Sequence, residues 1–197
     1  MTDGFYEVVG RQRAHRRFRP EPVASDVVER LLWAATRAPS AENAQPWQFV
    51  VVRDAERRAG LAELARRAWE GGAKDYEQGR LPDALFADVD QGATGGLATA
   101  PLWIVVAADT AKAPDGALGS SIWPAVQNLL LAATAEGLGS ALTTLSLAFA
   151  EEAAGLLGLP DRVKPFAAVP IGRPARELGP PRREPLADHV HAERFGS

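Results

Sequence analysis

The chain contains no cysteine, which excludes disulfides, thiolate metal sites and cysteine nucleophiles and fits a reducing compartment. Lysine is nearly absent too: Lys74, Lys112 and Lys164 are the only three. His15, His189 and His191 stand apart from any recognised Ser or Asp arrangement, and neither HExxH nor a nucleophile elbow occurs. These gaps argue against hydrolase and metalloenzyme chemistry, and no metal ligands are assigned. A net basic charge is missing as well, with 22 basic against 25 acidic residues and a formal charge of −3, which argues against a nucleic-acid partner. The longest strongly apolar run, 122–135, is too short for a membrane span and is interrupted by Pro124, Gln127 and Asn128. The first ten residues carry two acids and no apolar run, unlike a secretory leader, so a soluble cytoplasmic protein is expected. Repeats and low-complexity blocks are also lacking.

What remains is ordinary globular material: 197 residues, 46% hydrophobic and 24% charged. That length fits one domain, 1–197, able to bury roughly 70% of its unfolded surface. Residues 3–12 read as a short helix capped by Asp3. Ser25 and Asp26 open a second helix, with Val27, Val28, Leu31, Leu32 and Ala35 on one face, and Pro39 stops it near Ala38. A strand follows over 47–53, then a basic helix capped by Asp54. Residues 70–98 read as irregular, rich in Gly and Asp. The unbroken apolar segment 101–108 predicts a central strand covered on both faces. Ser120 or Ser121 is expected to start a long buried helix with Pro124 in its first turn and Gly137 as its stop. A strand over 139–145, a helix over 148–157 and a core strand over 166–171 complete the order. The segment 172–197 holds four of the 15 prolines and little periodicity, so it cannot fold alone.

Two stretches carry unusual chemistry. Five arginines fall within nine residues, 11–19; they form either a solvated basic patch or a site for a dianionic phosphate. The stretch Pro39-Ser40-Ala41-Glu42-Asn43-Ala44-Gln45-Pro46-Trp47 is either a plain polar connector or a wall that reads a heterocycle edge. Uncharged amides match the mixed donors and acceptors of an isoalloxazine ring. Gly137-Leu138-Gly139 follows a helix rather than a strand, so it is a helix stop and not a dinucleotide fingerprint. Asp88-Val89-Asp90-Gln91-Gly92 lacks the remaining positions of a calcium loop. A pocket without nucleophile, metal or acid–base pair points to a bound cofactor as the source of the chemistry.

Four blocks, in order and spacing, resemble the FMN-dependent nitroreductase family over nearly the whole chain: Arg13-Ala14-His15-Arg16-Arg17-Phe18; Ala38-Pro39-Ser40 with Asn43 and Gln45-Pro46-Trp47; the helix from Trp123-Pro124 into Gly137-Leu138-Gly139; and Val169-Pro170-Ile171-Gly172 with Arg182-Arg183-Glu184-Pro185-Leu186. The resemblance implies an α+β, three-layer fold: a central, mostly antiparallel sheet flanked by helices. A long central helix would lie at a homodimer interface, with tail 172–197 packing on the partner. It implies FMN as cofactor and NAD(P)H as reductant, with ping-pong hydride transfer through flavin N5 to nitroaromatics, quinones or enones and no catalytic side chain. Arg13 and Arg16 would hold the phosphate and ribityl end, Ala14 would approach through its backbone, and Arg182 and Arg183 would close the site. Pro39, Ser40, Asn43 and Gln45 would come from the other subunit, and Thr143 and Thr144 would sit near N5. The chain departs from the usual pattern at Gln12-Arg13-Ala14, where many members carry two arginines and a serine, and Lys74 is the one lysine placed to serve the ring. Trp69, Tyr76 and Phe86 are expected to line the acceptor channel. The alternatives are a non-catalytic FMN-sequestering protein and a specialised branch performing reductive dehalogenation or flavin cleavage.

Overall fold

The structure, a computed structural model, describes residues 4–196; Asp3, the expected first cap, lies outside them. Seven α-helices and four strands are described. They are α1 (Phe5–Arg11), α2 (Ser25–Ala35), β1 (Trp47–Val52), α3 (Ala55–Ala68), α4 (Lys74–Glu77), α5 (Asp83–Gln91), β2 (Leu102–Asp109), α6 (Asp115–Ala135), β3 (Gly139–Ser140), α7 (Ala150–Leu157) and β4 (Val163–Gly172).

The strands form one sheet in the order β1-β2-β4-β3, antiparallel throughout. Alternation along β2 explains why every one of its residues is buried. Leu102, Ile104, Val106 and Ala108 pack into a core with α2 and α6, whereas Trp103 and Val105 face Leu61, Ala62 and Ala65 of α3. Two covered faces make the sheet the middle of three layers, as the resemblance implied. Fully burying each large apolar side chain contributes about 1.5–3 kcal/mol, so β2 anchors both cores. Pro165 is accommodated in β4 by an irregularity in pairing between Val106 and Ala107, the kind of place a ladder tolerates a residue without an N–H.

Capping follows the sequence in part. The Asp54 carboxylate accepts from the Arg57 N–H at 2.9 Å, as expected of an N-cap. Gly137, at φ 70°, ends α6, and the Leu138 N–H returns to the Ala133 carbonyl at 2.8 Å. Ser25, by contrast, is already inside α2; its N-cap is Ala24, with no side-chain bond.

Three expectations are corrected. Helix α6 starts at Asp115, not at Ser120 or Ser121, so Pro124 lies in its interior. The two serines are not caps: both hydroxyls bond back to the Ala117 carbonyl, at 3.0 and 2.9 Å. An interior proline costs about 3 kcal/mol, and burial of Leu118, Ile122, Val126, Leu129 and Leu130 in the core offsets it. The predicted strand over 139–145 shrinks to two residues plus a bridge between Thr143 and Ala168. Residues 70–98 are mostly helical: two π-type turns, Trp69–Ala73 and Gly92–Gly96, flank α4 and α5. Among the described residues no helix is long and apolar enough to cross a membrane.

Candidate functional site

The arginine block after α1 is laid against the far edge of the sheet. Ala14 bridges Ser140 of β3, and the His15 N–H donates to the Ser140 carbonyl at 2.9 Å. Gly139 permits this approach, since a Cβ there would stand 2.8 Å from the His15 side chain. The start of the tail is stitched to the same block: the Arg19 N–H reaches the Arg173 carbonyl at 2.8 Å and the Ala175 N–H the Arg17 carbonyl at 3.0 Å. Arg13 donates to the carbonyls of Gly179 and Pro180 at 2.6 and 3.1 Å, just before Arg182 and Arg183. Those two arginines are exposed, and the Arg183 guanidinium donates to the Arg182 carbonyl at 2.8 Å.

Arg16 forms part of the wall of a cavity of about 200 Å³, with Val89, Ala93 and Leu97 on one side and residues 141–145 on the other. Thr143 and Thr144 therefore share a cavity with Arg16. Both backbone polar groups of Thr143 are committed to Ala168, at 2.9 and 3.0 Å, which fixes this segment on the sheet. Ser140 Oγ is buried and takes no hydrogen bond. His15 is half-buried, and its pKa is lowered by desolvation, then by the Arg13 charge, with Asp88 opposing and Arg176 reinforcing.

The second predicted set lies elsewhere. In the loop before β1, Ser40 Oγ accepts from the Gln45 N–H at 3.1 Å and the Gln45 amide donates to the Asn43 side-chain oxygen at 3.2 Å. The Ala41 N–H ties the loop to Ser121 of α6 at 3.1 Å. Glu42, Asn43 and Gln45 have φ of 53°, 56° and 49°, three non-glycine residues in left-handed backbone within four positions. Each such residue costs on the order of 1–3 kcal/mol, and clusters of them mark functional sites. Pro39, Asn43 and Gln45 are exposed.

The register separates the two sets. Trp47 pairs with Ala108 on β2, whereas Ser140 pairs with Ile171, itself opposite Leu102. Six residues along the strands and three strand spacings across place these corners roughly 25 Å apart. Within one chain, then, Arg13, Ala14, Arg16, Thr143 and Thr144 gather at one corner, and Pro39, Ser40, Asn43 and Gln45 stand at the opposite one.

The sequence profile of the Nitroreductase family matches residues 9–173. The chain belongs to the nitroreductase family. It is 34% identical over 197 residues to an "NADH dehydrogenase" of Thermus thermophilus, with 89% of each chain covered. It superposes at TM-score 0.75 on a nitroreductase-type protein of Desulfovibrio desulfuricans in complex with FMN, 28% identical with 99% of each chain covered. It superposes at TM-score 0.76 on iodotyrosine deiodinase bound to FMN and 3-iodo-L-tyrosine, 26% identical, covering 98% of this chain and 100% of that one.

The donor chemistry of this nitroreductase-family chain fits FMN. Guanidinium groups at the Arg13 corner suit a phosphomonoester, and the apolar wall of Val89, Ala93 and Leu97 suits the face of a ring. The cavity measures about 200 Å³, below the 300–1,000 Å³ usual for a ligand site. Other expectations change. Lys74 is not free for a ring, because its ammonium pairs with Asp90 at 2.8 Å. Trp69 is no channel wall: it is buried, donating its indole N–H to Asp90 at 2.8 Å and packing on Phe86. Tyr76 is exposed, under the Arg80 guanidinium. The sequence offers Asp88 only as part of an incomplete calcium loop and gives no signal for Arg176, both at the Arg16 corner; the one local hint is the Gly92/Gly96 spacing in the turn after α5.

Proposed function

We propose that this chain is an FMN-dependent oxidoreductase that works as a homodimer, reducing electron-poor acceptors such as nitroaromatics, quinones or enones at the expense of NAD(P)H. The observation that carries this reading is the placement of a cationic half-site and a strained, amide-bearing loop at opposite corners of one sheet. A two-fold pair of chains lets the corner of one copy meet the loop of the other. Exposed Trp33, Trp123 and Leu142 supply apolar surface for such a contact.

In the assembled site Arg13 and Arg16, with Arg182 and Arg183 of the tail, hold the phosphate through charge-assisted hydrogen bonds. Ala14 admits the cofactor along its backbone. Pro39, Ser40, Asn43 and Gln45 of the second copy present donors and acceptors to the ring edge without adding charge. Thr143 and Thr144 border the cavity on a segment pinned to Ala168, so they would offer bound FMN a fixed wall. Bound FMN would supply two-electron redox chemistry between NAD(P)H and the acceptor.

The likeness to iodotyrosine deiodinase gives a second reading, reductive dehalogenation of a halogenated phenol. An absorption spectrum of the purified protein with FMN, before and after anaerobic NAD(P)H, tests the main proposal. Flavin uptake followed by bleaching, then recovery on adding a quinone, is expected. A yellow protein that never bleaches would mark a sequestering role, and a colourless one would end the flavin reading. Halide release from 3-iodotyrosine, set against quinone turnover, decides between the two enzymatic readings.

A further inference from the structure

Asp88 of α5 gathers arginines from both ends of the chain. Its two carboxylate oxygens accept separately, from Arg16 at 2.6 Å and from Arg176 at 2.7 Å. The Asp88 and Arg16 side chains are only 21% and 22% exposed, so this contact is shielded from solvent in a way the helix-surface pairs are not. Around it two glycines leave room for Arg16. A Cβ on Gly92 would stand 2.7 Å from Arg16 Cδ and 2.8 Å from its Cβ, and a Cβ on Gly96 would collide with the Arg16 carbonyl. Arg17 alongside donates to Gln91 at 3.0 Å. The stretch from Asp88 to Gly96 is thus moulded on Arg16, and the residues between, Val89 and Ala93, line the same cavity as that arginine.

A flexible arginine loses several rotatable bonds of freedom on binding an anion. A guanidinium already held by a carboxylate, on a stem packed against Gly92, loses much less, which raises affinity through pre-organisation. Asp88 also acts in the opposite sense, since its negative charge repels a phosphate. With two arginines sharing one carboxylate the local balance stays at one net positive charge.

We propose that Asp88 is a positioning residue of the cofactor site: by holding Arg16 against the cavity wall and tying Arg176 to it, Asp88 sets the cationic corner before FMN arrives. The inference rests on the reading of the cavity as an FMN site. It makes α5, with the following turn, a support of cofactor binding rather than only a wall for the acceptor.

The test is a double-mutant cycle in the full-length protein, with FMN binding followed by quenching of flavin fluorescence and the apoprotein melting temperature measured alongside. Asp88→Asn is expected to weaken FMN binding about 5- to 20-fold in the otherwise native chain but less than about 2-fold in an Arg16→Met background, and Asp88→Glu is expected to recover part of the loss. The inference is overturned if Asp88→Asn leaves affinity unchanged or tightens it, since the carboxylate would then be only a counter-charge. It is equally overturned if the loss is the same in both backgrounds, which would mean Asp88 merely holds α5 in place. If the native chain takes up no FMN at all, the reading of the cavity fails instead, a result distinct from either of these.

Discussion

The arginine corner and the amide loop contrast in how each is made. The corner is assembled from segments far apart in sequence, the 13–19 block, α5 with its following turn, residues 140–145 and the start of the tail, and its polar groups are largely engaged. The loop is local. Ser40, Asn43 and Gln45 bond mainly to one another, and three residues stay in left-handed backbone although none is glycine. One region is stabilised by its contacts, and the other sits at a cost that the rest of the fold sustains. The lesson is that a binding residue can be pre-set either by partners or by strain, and the two kinds respond oppositely to mutation.

The largest expected effect is on the corner's proposed cations. Replacing Arg13 and Arg183 together with Met removes two charge-assisted contacts of about 1.5–3 kcal/mol each, so FMN affinity should fall at least about 100-fold. Equilibrium dialysis with FMN checks this; undiminished uptake by a folded double variant would remove the phosphate assignment. Next comes Gly96→Ala, whose methyl group meets the Arg16 carbonyl and the Arg17 side chain. Backbone cannot swing aside as a side-chain tip can, and the expected loss is about 1–3 kcal/mol of stability, read from urea denaturation.

The loop should answer with the opposite sign. Gln45→Gly, at φ 49°, relieves left-handed strain and is expected to raise stability by about 0.5–1 kcal/mol while weakening FMN binding. If Gln45→Gly instead destabilises, the contrast between the two regions collapses. The smallest effect concerns pH. Because the pKa of His15 is lowered in the fold, the unfolded chain takes up the proton first as pH falls below 6.5. Stability should thus be full above that value and decline as pH drops from 6.5 toward the lower folded pKa. Melting curves between pH 7.5 and 5.5 should show this slope in the native chain and a flatter one in His15→Gln. The paired carboxylates Glu136 and Asp109, both lowered from ordinary values by hydrogen bonds, contribute their losses only at more acid pH.

Features encoded over a few neighbouring residues were legible in the sequence. The alternation that buries both faces of β2, the Asp54 cap, the Gly137 stop and the polar loop before Trp47 each follow from local chemistry. Long-range features were hidden. Ser120 and Ser121 look like caps, yet they bond back to Ala117, because α6 extends to Asp115, buries Leu118 and encloses Pro124. Residues 70–98 look irregular because their glycines suggest flexibility. Gly92 and Gly96 are there for the close approach of Arg16 instead, a reason that exists only in three dimensions. Asp88 reads in the sequence only as a fragment of a calcium loop for the same cause: its two partners lie 72 and 88 residues away.

The strand order has a bearing on how the protein is made in the cell. Because β4 is inserted between β2 and β3, the pairs that Thr143 and Ser140 make with β4 cannot form until residues 163–172 leave the ribosome. The loop before β1 and its partner strand are synthesised long before, so the nascent chain must wait with a half-formed sheet and exposed apolar edges. The arginine corner, though it begins at residue 13, is among the last pieces of the molecule to close.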